Sequence, residues 1–309
     1  MTPNFFNHIP GYRRLSNVLR KHYDPQGYSS NPFLRAWPAG HYYSPLPDLK
    51  FVEDRKAIIF DRQVDRIPGI DNNEDGQLAL ADALSQYYRD LPFTDEKRPG
   101  LRYYYDNIWF SYGDAIILNA MLRHYKPRRI MEVGSGFTSA VMLDTNDRHL
   151  SQQISCTFIE PDPERLFTLL SEEDKKRHEV IAGIVQDVPL SRFERLDAND
   201  ILFIDSSHVV KTGSDVVYLL TSVLPILREG VIVHFHDVFW PFEYPERWLR
   251  EGKAWNENYL IKAFLQFNSK FKILLFNSYL AAHHKQDMGQ KFPLWLRDTG
   301  GSLWLQRTS

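Results

Sequence analysis

A single cysteine, Cys156, in 309 residues means that no disulfide can form within the chain, so an apolar core has to hold the fold. A protein without cystine suits a reducing compartment, and the cytoplasm is the expected location. An excess of either charge is also missing: 37 Lys and Arg face 39 Asp and Glu, and the signs alternate along the chain. Nucleic-acid binding calls for a clustered basic face, which this pattern does not supply. No apolar run approaches the length of a membrane span. Residues 1–12 show neither the basic start and apolar stretch nor the small-residue cleavage site of a secretory leader. A small molecule is therefore the expected partner, with no nucleic acid and no membrane, and a homo-oligomer is left open.

What is present is ample apolar material, 43% of the chain, enough for one large or two small domains. Residues 1–100 are rich in Pro, Tyr, Asp and Asn and show little periodicity beyond Gln77 to Tyr88, which reads as a helix. They are expected to form an irregular extension that packs on or caps a main domain of residues 101–309. An independent module fits less well, because their apolar residues are mostly aromatic and scattered. Beyond this segment, apolar runs and helical patterns alternate. Strands are expected up to Val133, then at Ile154–Glu160, Val180–Val185, Ile201–Asp205 and Val231–Phe235, with helices over 113–124, from Thr138, from Pro163 and over 214–227. After a loop at 240–256 come a helix over 258–267 and strands over 272–276 and 302–306. Such alternation implies an α/β fold, a Rossmann-like parallel sheet with helices on both faces.

The run from Arg128 to Ser139 carries the strongest signal, joining an apolar strand with Glu132 near its end to Gly134-Ser135-Gly136 and a helix start. A helix beginning there points unpaired N–H groups at the space above the strand end. The glycines let a ligand approach the backbone. Dinucleotide sites share the Gly-x-Gly turn, so the acids downstream decide. The second strand ends at Glu160, placed to accept from two ribose hydroxyls; the third stops at Gln186-Asp187 and the fourth at Asp205. An edge lined with acids repels pyrophosphate, and Ser139 stands where the dinucleotide fingerprint has its third glycine. S-adenosylmethionine, cationic and free of phosphate, suits this edge.

Asp205-Ser206-Ser207-His208 follows the fourth strand, and His236-Asp237 ends the fifth. Neighbouring parallel strands set their carboxyl ends side by side, so Asp205, His208, His236 and Asp237 should converge beside the cofactor's methyl group. Asp205, His236 and Asp237 are ligand types that hold Mg2+ or another divalent metal. His208, with Asp205 beside it, is placed to take a proton from a hydroxyl near neutral pH. Taken singly, each also fits a structural role, capping a turn or bonding the backbone. His234 lies inside the strand and is assigned to the fold.

The order Glu-x-Gly-x-Gly, an acid after the second strand, Asp-x-x-His after the fourth and His-Asp after the fifth resembles class I S-adenosylmethionine-dependent methyltransferases. More narrowly, residues 103–280 are similar to the methyltransferase domain 24 family. The resemblance implies a seven-stranded sheet whose last strand is antiparallel. It would put Glu132, Gly134, Ser135 and Gly136 at the methionine and ribose, Glu160 at the ribose hydroxyls, and Gln186 and Asp187 at the adenine. Relative to metal-dependent catechol-type enzymes, His208 stands for a lysine and Val238 for an asparagine. Macrolide-sugar O-methyltransferases are closer, sharing the histidine base, with His236 in place of their acid.

The aromatic, proline-stiffened run Phe239 to Pro245 follows directly. Trp240, Glu243 and Tyr244, with Tyr112 from the other side, are suited to stacking on a sugar or aromatic ring, or else to ordinary loop packing. The expected activity is O-methylation of a small hydroxylated substrate, a sugar or secondary metabolite, with His208 as general base. Open alternatives are a non-catalytic cofactor-binding partner protein, and a metal-dependent hydroxylase or NAD-dependent oxidoreductase on the same fold.

Overall fold

The computed structural model describes residues 36–309, and the chain divides into two units, residues 1–59 and 60–309. In the first, helix α1 (Leu49–Ile59) begins after Asp48, whose Oδ1 accepts from the N–H groups of Lys50 (2.9 Å) and Phe51 (3.3 Å). This satisfies donors that the helix start would otherwise leave unpaired.

The second unit is built on β1 (Arg129–Val133), β2 (Ser155–Ile159), β3 (Glu179–Ile181), β4 (Ile201–Ile204), β5 (Ile232–Phe235), β6 (Phe271–Phe276) and β7 (Leu303–Arg307). Their order in the seven-stranded sheet is β3-β2-β1-β4-β5-β7-β6. β7 runs antiparallel to both of its neighbours, β5 and β6, and every other pair is parallel. The fold is the Rossmann-like, mostly parallel α/β class. Every residue of β4 and β5 is buried, which is why these strands read as near-continuous apolar runs rather than alternating ones.

Helices α2 (Glu74–Ser85), α3 (Tyr112–Tyr125), α4 (Phe137–His149), α5 (Glu164–Leu169) and α6 (Glu172–Arg177) lie in the first half. Helix α3 is buried from Gly113 through Leu122, the expected state of a helix that is apolar nearly all round. Helix α2 closes the sheet's β6 edge. Asn73 Nδ2, just before it, donates to Ile273 O (2.7 Å), and Phe276 N donates to Gln77 Oε1 (2.8 Å). Exposed strand edges invite foreign pairing, and these side chains occupy groups that would otherwise be open. Residues 60–100, read from sequence as part of an extension, therefore contribute to this unit; residues 1–35 of that extension lie outside the described residues.

Further along are α7 (Leu190–Phe193), α8 (Asp215–Tyr218), α9 (Glu246–Arg250), α10 (Glu257–Leu265), α11 (Asn277–His283) and α12 (Lys285–Lys291). The long helix expected over 214–227 is broken into α8, a π turn at Leu219–Val223 and a 3-10 turn at Leu224–Ile226. Pro225 supplies no N–H to continue the ladder. Strand β3 stops at Ile181, and Val185–Asp187 form a 3-10 turn instead of the strand end expected there. Among the described residues no helix is long and apolar enough to cross a membrane.

Candidate active site

Val133 pairs in register with both Ile159 and Ile204, and Ile204 pairs with Phe235. The next residue of each strand, Glu160, Gly134, Asp205 and His236, therefore falls in one row at the sheet's carboxyl edge. Connections leave β1 and β4 toward opposite sides of the sheet, and a crevice opens where they part. Gly134 makes the close approach possible. Its φ is +80°, and a Cβ there would stand 1.8 Å from the Asp205 carbonyl oxygen.

Beneath the turn, Glu132 is fully buried. Its carboxylate accepts from Thr138 Oγ1 (2.5 Å) and from the Ser139 hydroxyl, whose Oγ in turn accepts from Gly136 N (3.1 Å). Burial pushes the Glu132 carboxyl up to about 8. Glu160 is oriented by Ser135 N on Oε2 (2.8 Å) and Asp162 N on Oε1 (2.9 Å).

Two adjoining cavities share Gly134, Glu160 and Asp205–Ser207. One, of about 360 Å³, is walled by the Gly134–Thr138 turn, His208, His236 and Asp237, and by Trp109, Arg165 and Trp255. The other, of about 300 Å³, is walled by Pro161, Ile184, Val185 and Gln186. Two polar atoms of these walls, Ser206 Oγ and Gln186 Oε1, are buried without a partner. Each such atom costs about 1–3 kcal/mol until something bonds it. A nucleoside, with hydroxyls and ring nitrogens around an apolar face, fits both the orphaned atoms and the apolar end. A larger cavity of about 700 Å³, lined by Gly69, Phe267 and Lys272, opens away from these groups, so size alone does not mark the site.

The structure brings Asp205, His208, His236 and Asp237 together. Asp205 Oδ1 lies 3.4 Å from His236 Nδ1 and 3.6 Å from His208 Nε2. Asp237 spans the same pair, with Oδ1 3.6 Å from His236 Nδ1 and Oδ2 3.7 Å from His208 Nε2. Two further acids hold the imidazoles from behind. Glu257 Oε2, at the start of α10, is 2.8 Å from His208 Nδ1, and Asp114 Oδ2, in the first turn of α3, is 3.3 Å from His236 Nε2. Asp114 is itself anchored by the N–H groups of Gly301 (3.1 Å) and Ser302 (3.0 Å) and by Asn277 Nδ2 (3.1 Å).

Burial opposes charge on both imidazoles, yet the acids prevail. Hydrogen bonds to Asp205 and Glu257 and the field of Asp237 bring His208 up to about 10, and Asp237, Asp205 and Asp114 hold His236 well above its usual value. Burial alone would raise Asp205, but the two imidazoles keep it well below the usual carboxylate range. His208 (φ +59°) and Asp237 (φ +57°) both adopt the left-handed backbone region. Such residues cost about 1–3 kcal/mol each and persist where surrounding contacts enforce them.

Residues 131–238, which run from β1 past Asp237, match the family described as "Methyltransferase domain". An uncharacterized protein of Archaeoglobus fulgidus is 36% identical over 168 residues, covering 53% of this chain and 76% of that protein. The chain belongs to this methyltransferase family, of the class I S-adenosylmethionine-dependent type. Among solved structures it is similar to the SAH-bound methyltransferase PaMTH1 of Podospora anserina, at 14% identity and a TM-score of 0.44, covering 85% of this chain and 98% of that one. It is also similar to the O-methyltransferase TomG of Streptomyces achromogenes, solved with SAM, at 15% identity and a TM-score of 0.44, covering 85% and 97%.

Several residues expected at the site of this methyltransferase stand elsewhere. Glu132 does not line the cavity; it pins the first turn of α4 from below. Gln186 reaches the wall, but Asp187 is exposed, because the 3-10 turn rotates it outward. Trp240, Glu243 and Tyr244 of the aromatic loop, and Tyr112, do not line either cavity. Trp240 is 1% exposed and donates Nε1 to Val64 O (2.8 Å), and Tyr244 is buried. Glu243 Oε1 accepts from Tyr259 Oη (2.7 Å), and Tyr112 bonds Asp95 (3.0 Å) and stacks on Tyr105. Large rings gain more from burial than from lining a wet cavity. His234 belongs to the fold, stacked on Phe203 and 2.9 Å from Ser302 Oγ.

The expected metal ligands lie side by side, with His236 Nδ1 3.4 Å from Asp205 Oδ1 and 3.6 Å from Asp237 Oδ1. Among the described residues no group of three or more His, Cys, Asp or Glu is arranged to hold an ion. Glu257, Asp114, Arg165 and Trp255 were not singled out as site residues by sequence reasoning. The first two are ordinary helix-start acids in the sequence, and only the folded chain sets them behind histidines from other strands.

Proposed function

We propose that this methyltransferase acts on a hydroxyl of a small acceptor, with His208 as proton acceptor. The observation that carries the reading is the imidazole itself, set in the cavity wall and held at Nδ1 by buried Glu257 at 2.8 Å. In the proposed seat, Ile184, Val185 and Gln186 take the adenine, Glu160 the ribose hydroxyls, and the Gly134–Gly136 turn the adjoining chain. Asp205 and Asp237 favour a positive charge beside them. S-adenosylmethionine, when bound, supplies an electrophilic methyl carbon and leaves as a neutral thioether. Glu257 holds the His208 Nδ1 proton, so that in the neutral ring Nε2 presents its lone pair to the cavity. The acceptor's proton passes to Nε2 as its oxygen takes the methyl, and Glu257 stabilises the imidazolium that results.

Calorimetry is expected to show binding of S-adenosylhomocysteine and none of NAD; the reverse would sink the reading. The pH dependence follows from the raised His208. In the free protein it is an imidazolium at neutral pH, and its base-competent fraction grows as pH rises toward about 10. kcat/KM should therefore climb over that range, and kcat should climb at lower pH because a bound sulfonium disfavours the imidazolium. Glu257→Gln removes a carboxylate that favours the charged ring, so the kcat/KM limb should move to lower pH. A flat profile, or a limb unmoved in the variant, rules out this assignment. Stability has the opposite sign. The charged His208 contributes fully below its unfolded value of about 6.5, and that contribution is lost as pH rises through about 10.

A further inference from the structure

The charged cavity holds three carboxylates, from Glu160, Asp205 and Asp237, and two imidazoles, from His208 and His236. Among its described lining residues Arg165 is the only arginine or lysine. Each imidazole already faces acids of the chain. The Arg165 guanidinium has no hydrogen bond or ion pair among the described residues. It stands with Cζ 4.0 Å from the ring centroid of Trp109, which is half-exposed in the same wall. It also reaches over the glycine turn, with Cδ 3.4 Å and Nη1 3.8 Å from where a Gly136 Cβ would be. A ring against one face of a guanidinium steadies it and leaves the N–H edge free for a planar anion.

The inference rests on the nucleoside reading of the site. If Ile184–Gln186 take the adenine, the amino-acid end of the cofactor falls in the charged cavity. Its carboxylate is repelled there by Glu160, Asp205 and Asp237. We propose that Arg165, braced on Trp109, is the carboxylate subsite of this enzyme and grips the amino-acid end of the cofactor. An acidic group on the acceptor would offer the same chemistry, and the experiment separates the two sources.

The test is calorimetric titration of S-adenosylhomocysteine and of its carboxamide, which keeps the ammonium but not the acid, into wild type, Arg165→Met and Arg165→Lys. Wild type is expected to prefer the acid by about tenfold or more, the scale of a charge-assisted hydrogen-bond pair. In Arg165→Met the acid should weaken to the level of the carboxamide, whose own affinity stays put. Arg165→Lys should keep part of the preference. If the methionine variant retains the wild-type preference, the proposal is overturned and Arg165 is left for an acidic acceptor. Equal weakening of both ligands overturns it too, as a structural effect. Failure of wild type to bind either ligand is a different result, because it removes the nucleoside reading on which the proposal stands.

Discussion

His208→Asn is expected to lower methyl transfer by about 10²- to 10⁴-fold, the usual contribution of a positioned proton acceptor, with S-adenosylhomocysteine affinity little changed. Asparagine is the replacement of choice because it tolerates the left-handed backbone at this position, φ +59°. Its amide nitrogen can stand where Nδ1 meets Glu257, but it does not reach the place of Nε2, carries no charge and cannot accept a proton at neutral pH. The variant also leaves Glu257, only 1% exposed, buried without its cation. Removing one partner of a buried pair costs about 3–5 kcal/mol, so the single variant should melt earlier. The double variant with Glu257→Gln should recover part of that stability and none of the activity. Thermal unfolding and release of S-adenosylhomocysteine from a turned-over acceptor check the two halves separately. A double variant that turned over at the wild-type rate would remove His208 from the chemistry.

Gly134→Ala should be among the most destabilising substitutions available to this chain. The methyl would lie 1.8 Å from the Asp205 carbonyl oxygen, on a backbone with φ +80°. Relief requires the ends of β1 and β4 to part, and a loss of more than about 4 kcal/mol is expected, at the extreme of single substitutions. Gly136→Ala supplies the contrast. Its φ of 178° is extended backbone that any residue adopts, and the nearest atom to its Cβ is Arg165 Cδ at 3.4 Å. Its stability should change by less than about 1 kcal/mol, while the methyl enters the cavity and weakens S-adenosylhomocysteine. Denaturant unfolding and calorimetry on both variants test this, and equal stability losses would contradict the steric account.

The two glycines show how the sequence and the folded chain divide the information. Their presence after an apolar strand marks a ligand turn in the sequence, yet nothing in the sequence tells which one is required by the fold. That depends on how closely β4 passes β1. The acids at strand ends behave alike. Glu160, Asp205 and Asp237 reach the cavity, because parallel strands in register present their carboxyl ends in one row. Asp187 does not, because β3 ends early and a 3-10 turn carries the acid outward. The aromatic loop after β5 admits two readings in the sequence for a related reason. Stacking on a ligand and packing in a core use the same residue types, and only the surrounding surface distinguishes them.

Local pattern by itself determined the α/β class, the alternation of strand and helix, the glycine turn and the row of acids, since each depends on periodicity or on adjacency within a few residues. The tertiary structure alone decided which charges balance which. Glu257 meets His208 across 49 residues and Asp114 meets His236 across 122. Electrostatic energy depends on distance through space and on burial, and neither is written into spacing along the chain.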